Sequence, residues 1–345
     1  VLRNWRLLSG VRKRYFHAIA IILVLRSENL SMRKLSFFVT LLVALLWQHP
    51  AFAWNKAGHM VSGAIAYSDL KQNHQQVIEK VAAILKEHPE YSKFEQQWNS
   101  LKQSNISAEN KNLYLFMWAA KWPDEARGDK NFNHETWHYI NFPYDPSSSS
   151  NSIPKETPGE ENILYAFKKN IDIVQSNAAN SEKAIAICWL FHLIGDVHQP
   201  LHTTKLITSQ YPEPEGDRGG TRFYIKVKPD SQTISLHKFW DDLILGYENF
   251  QTVRNTATKL RNTYQRSKLS ELKETQFDNW AKVESFNIAK QKAYLNGKLS
   301  GSADKNDGKL LPQNYASTTK PIAERRMSLA GYRLADVLNK LFGQR

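Results

Sequence analysis

Residues 192 to 202 read His192-Leu-Ile-Gly-Asp196-Val-His198-Gln-Pro-Leu-His202, and no other run restricts the fold as tightly. His192 and Asp196 stand four residues apart, hence on one face of a helix, while Pro200 ends that helix and lets the chain turn His202 back. His237 and Asp241 repeat the i, i+4 spacing. Zinc takes imidazole nitrogen and carboxylate oxygen at about 2.0 to 2.2 Å, a reach at which such a pair can converge on one ion. Two such pairs in one chain point to metal binding.

A histidine alone among apolar neighbours is ordinarily a satisfied core or surface residue. That balance shifts for five histidines that keep company with carboxylates. His74, His88, His134 and His198 have no such company. They are expected at the surface or behind the ligands, His198 in the latter role because it sits between two expected ligands.

Met32-Arg33-Lys34, the apolar run from Leu35 to Trp47 and then His49-Pro50-Ala51-Phe52-Ala53 have the layout of a secretory signal peptide, whose removal would leave Trp54 first. The apolar core is about 13 residues against the roughly 20 of a membrane span, so no stable anchor is expected after processing. Residues 1–31 are expected to be upstream readthrough or a misassigned start, although Phe16 to Leu25 is also apolar. Of the formal net charge of +13, the first 53 residues hold eight bases and one acid. The remaining 38 bases and 32 acids leave a mild attraction for anions, which suits a phosphate-bearing substrate without singling out nucleic acid.

With 345 residues, 41% hydrophobic and ten Trp, the chain can fill a large core, and disordered, collagen-like and disulfide-scaffold classes are excluded. Cys188 is alone, so no internal disulfide can form, and stability must come from packing and metal. Apolar residues near 3.6 spacing predict helices over Gly58–Leu70, Asn73–Lys86, Leu113–Trp118, Glu160–Gln175, Ser181–Val197, Phe239–Tyr247, Phe250–Ser267 and Pro321–Leu341. Ser181 is expected as an N-cap and Gly246 as a terminator. Strand signal is confined to Thr221–Val227 and Thr233–Leu236, one hairpin turning near Pro229-Asp230. Pro143–Pro158, Thr208–Gly220 and Leu299–Pro312 read as loops. None divides the chain, so a mostly α, single-domain fold over 54–345 is expected.

Two segments add weaker signals. Trp122-Pro-Asp124-Glu-Ala-Arg127 offers an acid and a base one turn apart, and Trp137-His138-Tyr139-Ile-Asn141 a histidine among aromatics. With Trp54 after the leader, His59, His192, Asp196, His202, His237 and Asp241, they complete an ordered set. In that set the chain resembles the zinc-dependent nuclease and 3′-nucleotidase family of fungi and plants, with bacterial members, which is related to the zinc phospholipases C.

The resemblance implies a mostly helical fold with three zinc ions in a cleft. One zinc would take Asp124, His138, His192 and Asp196; a second the Trp54 amine and carbonyl, His59 and Asp196; the third His202, His237 and Asp241. Asp196 would bridge the close pair. The implied activity is hydrolysis of single-stranded DNA and RNA and of 3′-nucleotides, with a hydroxide shared by two metals attacking phosphorus. Asp196 and Arg127 are the expected catalytic residues, Arg127 offsetting charge on the phosphoryl oxygens. Tyr139 corresponds to an aromatic on which the family stacks a base, and single strands are favoured because a paired base is already stacked. Asn141 stands where several relatives have Asp, and Thr221, after Gly219-Gly220, where Asn is common; both bear on base binding. A monomer, secreted or periplasmic, is expected.

Two other readings stay open at this stage. A zinc phospholipase C shares the N-terminal Trp and the His-x-x-x-Asp helix, but its last pair usually ends in Glu and follows the preceding His closely; here Asp241 ends it and 35 residues separate His202 from His237. A catalytically silent zinc-binding protein would need closed sites, whereas these side chains are too few to saturate three ions.

Overall fold

The computed structural model describes residues 54–102, 106–148 and 160–343. The expected leader, the apolar stretch before it and most of the Ser-rich excursion lie outside the described residues. Three helices that are apolar on nearly every face form the centre: α1 (Lys56–Asn73), then, after α2 (Gln75–Leu85) and α3 (Tyr91–Lys102), α4 (Lys111–Glu125), and, after α5 (Ile163–Gln175), α6 (Asn180–Asp196). A helix without a polar face has to be buried, and these pack on one another, with α1 against α4 and α4 against α6. Trp118, Trp122 and Trp189 on these helices are buried, Trp118 and Trp122 against His88 and Trp189 against Trp137.

The outer helices carry the one-sided pattern that covers such a core. In α2 the buried residues are Val77, Ile78, Val81, Ala82 and Leu85, and in α8 (Phe250–Thr263) they are Phe250, Val253, Ala257 and Leu260. Between α6 and α8 lies the short α7 (Leu236–Asp241), and the long α9 (Tyr315–Phe342) closes the bundle against α1. No helix among the described residues is long and apolar enough to cross a membrane.

The strands are few. β1 (Pro143–Tyr144) pairs in parallel with β2 (Lys205–Leu206). β3 (Tyr224–Lys226) and β4 (Ile234–Ser235) form the expected hairpin in the register Ile225↔Ile234, and β5 (Lys309–Leu310), from a segment expected to be loop, joins β3 in parallel.

Several boundaries differ from the periodicity. α4 runs through Pro123 to Glu125, beyond the expected end at Trp118, and α9 begins six residues before Pro321. The N-cap of α6 is Ala179, so Ser181 lies inside the helix and caps nothing. α7 starts at Leu236, where the Ser235 hydroxyl accepts from Lys238 N, and ends at Asp241, well before Gly246. α3 was not expected, although Tyr91, Phe94, Trp98 and Leu101 keep helical spacing among polar residues.

Candidate metal centre

The core helices end together, and the chemistry-bearing side chains lie at those ends. His59 comes from the first turn of α1, which is started by Asn55, whose side chain accepts from Gly58 N at 3.0 Å. Asp124 lies in the last turn of α4, and His192 and Asp196 in the last turns of α6. His138 closes a 3₁₀ turn (Glu135–His138), His202 sits in another (Pro200–Thr203), and α7 presents His237 and Asp241. Asp124 and Asp196 thus stand at the negative ends of two helix dipoles, where a carboxylate is unfavourable and a cation is welcome.

Three buried groups result: His59, His192 and Asp196; Asp124, His138 and His192; His202, His237 and Asp241. In the first two, His59 Nε2 lies 3.1 Å from Asp196 Oδ1, while His138 Nδ1 and His192 Nε2 lie 3.0 and 3.2 Å from Oδ2. His138 Nδ1 and His192 Nε2 are 2.9 Å apart, and Asp124 Oδ1 is 3.8 Å from His192 Nε2. In the third, His202 Nε2 and His237 Nε2 are 3.1 Å apart and Asp241 Oδ2 is 3.7 Å from His237 Nε2. Ligand atoms at 2.0 to 2.2 Å on a tetrahedral ion stand about 3.3 to 3.6 Å from one another. The observed spacings bracket that edge.

Backbone carbonyls set the direction of three imidazoles. A carbonyl only accepts, so the Nδ1–H of His192 donates to Ala120 O (2.9 Å), that of His202 to His138 O (2.6 Å) and that of His237 to Gly219 O (2.6 Å). Each ring, when neutral, turns its Nε2 lone pair inward; burial would lower the His192 pKa, but Asp196 and Asp124 raise it, so a metal there has to displace a proton. Two such lone pairs, on His202 and His237, face each other at 3.1 Å, a repulsive arrangement that a cation between them converts into ligation. Both His59 nitrogens, His138 Nε2, Asp124 Oδ2 and Asp196 Oδ1 are buried without a hydrogen-bond partner. The donor set and these unsatisfied atoms fit a metal.

The charges agree. Burial lowers the His59 and His202 pKa values, and burial with Arg127 holds His138 at about 3, so these rings are neutral ligands at neutral pH. Burial would raise Asp196, but His192, His202 and His138 hold it well below the usual carboxylate range. Burial pushes Asp241 well above its ordinary value, so its ionised form needs a positive partner.

The remaining expected residues lie around this set. The Trp54 indole donates to Gly195 O at 3.0 Å, rooting Trp54 next to Asp196. Arg127 Nε donates to Asp124 Oδ1 at 2.9 Å. Tyr139 and Asn141, half-buried, flank buried Ile140, whose N–H donates to His202 O at 2.8 Å. Thr221 spends its hydroxyl on Arg218 O, closing a turn. His198 points elsewhere: its Nδ1–H donates to Ile194 O and its Nε2 accepts from Arg333, so it supports no ligand directly. His88 is likewise structural, edge-on to Trp118 and Trp122.

The sequence reading passed over Gln199. Its Oε1 accepts from Leu201 N (2.6 Å), which fixes the amide, and its Nε2 donates to Asp241 Oδ1 (2.7 Å), leaving Oδ2 for the third group. Its place between two expected ligands, before Pro200, was the available signal. Gly195 was also missed: a Cβ there would come within 2.6 Å of His59 Nδ1. The Gly216–Gly220 segment, expected as the end of a Pro/Gly-rich loop, is also fixed by space: Gly219 has φ +61° and a Cβ would stand 2.4 Å from Leu201 O. Arg218, also left-handed at φ +53°, bears a penalty of about 1 to 2 kcal/mol that glycine would avoid.

The S1/P1 nuclease profile matches residues 54–343, which include every one of these side chains. The chain belongs to the S1/P1 nuclease family. Among its relatives, Endonuclease 3 of Arabidopsis thaliana is 26% identical over 326 residues, covering 89% of this chain and 95% of the relative. Endonuclease 4 of the same plant is 25% identical over 339 residues (90% and 96%), and Nuclease S1 of Aspergillus oryzae 25% over 264 residues (70% and 83%). Membership decides for the nuclease over the phospholipase and the silent binder, and the three buried groups could hold the metal of this S1/P1 nuclease.

Proposed function

We propose that the three groups hold three zinc ions, and that this S1/P1 nuclease cleaves single-stranded DNA and RNA and hydrolyses 3′-nucleotides. It acts as a monomer outside the cytoplasm once residues 1–53 are removed, with 54–345 as the nuclease domain. The observation that carries the reading is Asp196, whose two oxygens each face a different histidine set. Zinc bound there supplies a nucleophile at neutral pH and offsets charge developing on phosphorus-bound oxygens.

The chain's own residues do the rest. Asp196 stays ionised and joins two metal groups, so the two are held at a fixed separation. Asp124 accepts from Arg127 Nε, which places the guanidinium beside the Asp124, His138 and His192 group, where it can offset charge on a phosphoryl oxygen. Tyr139 presents a phenol ring beside ligand His138 on which any base can stack. Unstacking a paired base costs a few kcal/mol, so duplexes are disfavoured. The Trp54 backbone, anchored at Gly195, completes the His59 group when its amine is free.

Metal analysis of protein beginning at Trp54, paired with chelator reversal on denatured and duplex DNA, tests this. Three zinc per chain, loss of cleavage on chelation and recovery with zinc, and slow cutting of duplex are expected. Cleavage that survives chelation, or duplex cut as fast as denatured DNA, would overturn it.

A further inference from the structure

We propose that Arg218, with Arg222 beside it, binds the phosphate next to the scissile one on a single strand, which makes the cleft a polymer site. The inference rests on the single-strand reading above. In the Gly216–Gly220 loop, Gly216, Arg218, Gly219 and Gly220 all have positive φ. Glycine is required by space at 216 and 219, where a Cβ would meet Leu206 O at 2.6 Å and Leu201 O at 2.4 Å. Of these four residues Arg218 alone carries a side chain, and backbone strain of this kind is retained where the side chain has work to do.

The loop is rigid. Asp217 Oδ1 accepts from Leu206 N (2.8 Å), its Oδ2 accepts from the Tyr294 hydroxyl (2.6 Å), and its backbone oxygen accepts from Arg222 N (3.0 Å). Arg218 is therefore rooted one residue from Gly219 O, the acceptor of His237 Nδ1–H, just as Tyr139 is rooted one residue from His138 O, the acceptor of His202 Nδ1–H. The two side chains spring from backbone that grips the same pair of imidazoles. Arg218 and Arg127 both act electrostatically on the Tyr139 phenol, against Glu135 and Glu160. The Arg218 side chain is 43% exposed, and one carboxylate, Glu215, serves both Arg218 (2.6 Å) and Arg222 (2.9 Å). Two guanidiniums sharing one carboxylate leave positive charge at the rim beside the stacking ring, the chemistry that holds a nucleic-acid backbone.

The test compares Arg218→Ala and Arg218→Gly on a dinucleoside monophosphate, which has the scissile phosphate alone, and on a single-stranded oligothymidylate. Loss of one charge-assisted contact should raise KM for the oligomer about tenfold. It should lower the slope of log KM against log salt by about 0.7. The dinucleoside should be cut as before, and Arg218→Gly, relieved of strain, should melt no lower than wild type. An unchanged oligomer KM and salt slope in both variants would overturn the proposal. So would an equal loss on both substrates, which would mean that Arg218 merely holds the loop. Wild-type protein that left both substrates intact would instead sink the single-strand reading, and this subsite with it.

Discussion

Asp196 Oδ1 stands 3.1 Å from His59 Nε2, yet no hydrogen bond joins the two atoms. Both are buried and point toward a common third position. The other oxygen, Oδ2, lies 3.0 Å from His138 and 3.2 Å from His192, so one carboxylate is shared by two imidazole sets. Asp196→Asn keeps the shape and removes the shared charge. Metal content should fall from three ions per chain to one, and kcat should drop by about 10²- to 10³-fold or more. Plasma emission spectrometry and steady-state kinetics on the same preparation check this.

Gln199 acts on the third group alone. Gln199→Leu leaves Asp241 without its donor and the Leu201 N–H without its acceptor. Zinc affinity at one of three sites should weaken about 10- to 100-fold while the other two keep theirs. A competition titration against a chromogenic chelator resolves the affected site.

Asp217 gives a pH signature in the stability of the fold. Burial raises its pKa from 3.8 to about 6, against hydrogen bonds from Tyr294 and Leu206. The folded state therefore binds this proton more tightly than the unfolded chain does. The associated stability is fully present below the unfolded value and is lost as pH rises through about 6. Asp217→Asn removes the ionisation and keeps an acceptor for Leu206 N, while the Tyr294 hydroxyl must turn to accept from the new amide. It should be more stable than wild type at pH 7 by up to roughly 3 kcal/mol, with no difference near pH 4. Urea melts of the two proteins across that range supply the comparison.

Processing matters for Trp54. A free α-amine is a candidate ligand only if nothing precedes it, so protein retaining the residues before Trp54 should bind one zinc more weakly and cleave RNA more slowly than the trimmed form. Equal zinc content and rate would remove the amine from the ligand set.

Much of the candidate site was legible because its His and Asp pairs follow helical spacing. The i, i+4 spacing placed His192 with Asp196 and His237 with Asp241, and Pro200 turned His202 back as expected. The all-apolar runs in α4 and α6 announced burial. What stayed hidden depends on contacts across the chain. Ala120 O and Gly219 O orient imidazoles 72 and 18 residues away, and a carbonyl leaves no trace in residue type. Gln199 reaches Asp241 over 42 residues. The β1–β2 pair and β5 consist of two-residue strands, too short for alternation to show. α4 continues past Pro123 to Glu125, two residues beyond a proline that has no N–H to donate to Ala119 O.

Anomalous scattering at the zinc edge from crystals of the trimmed protein probes the trinuclear centre directly. Three peaks are predicted: one beside each oxygen of Asp196, and a third enclosed by His202, His237 and Asp241. A single peak, or zinc bound away from these side chains, would contradict the shared-carboxylate centre.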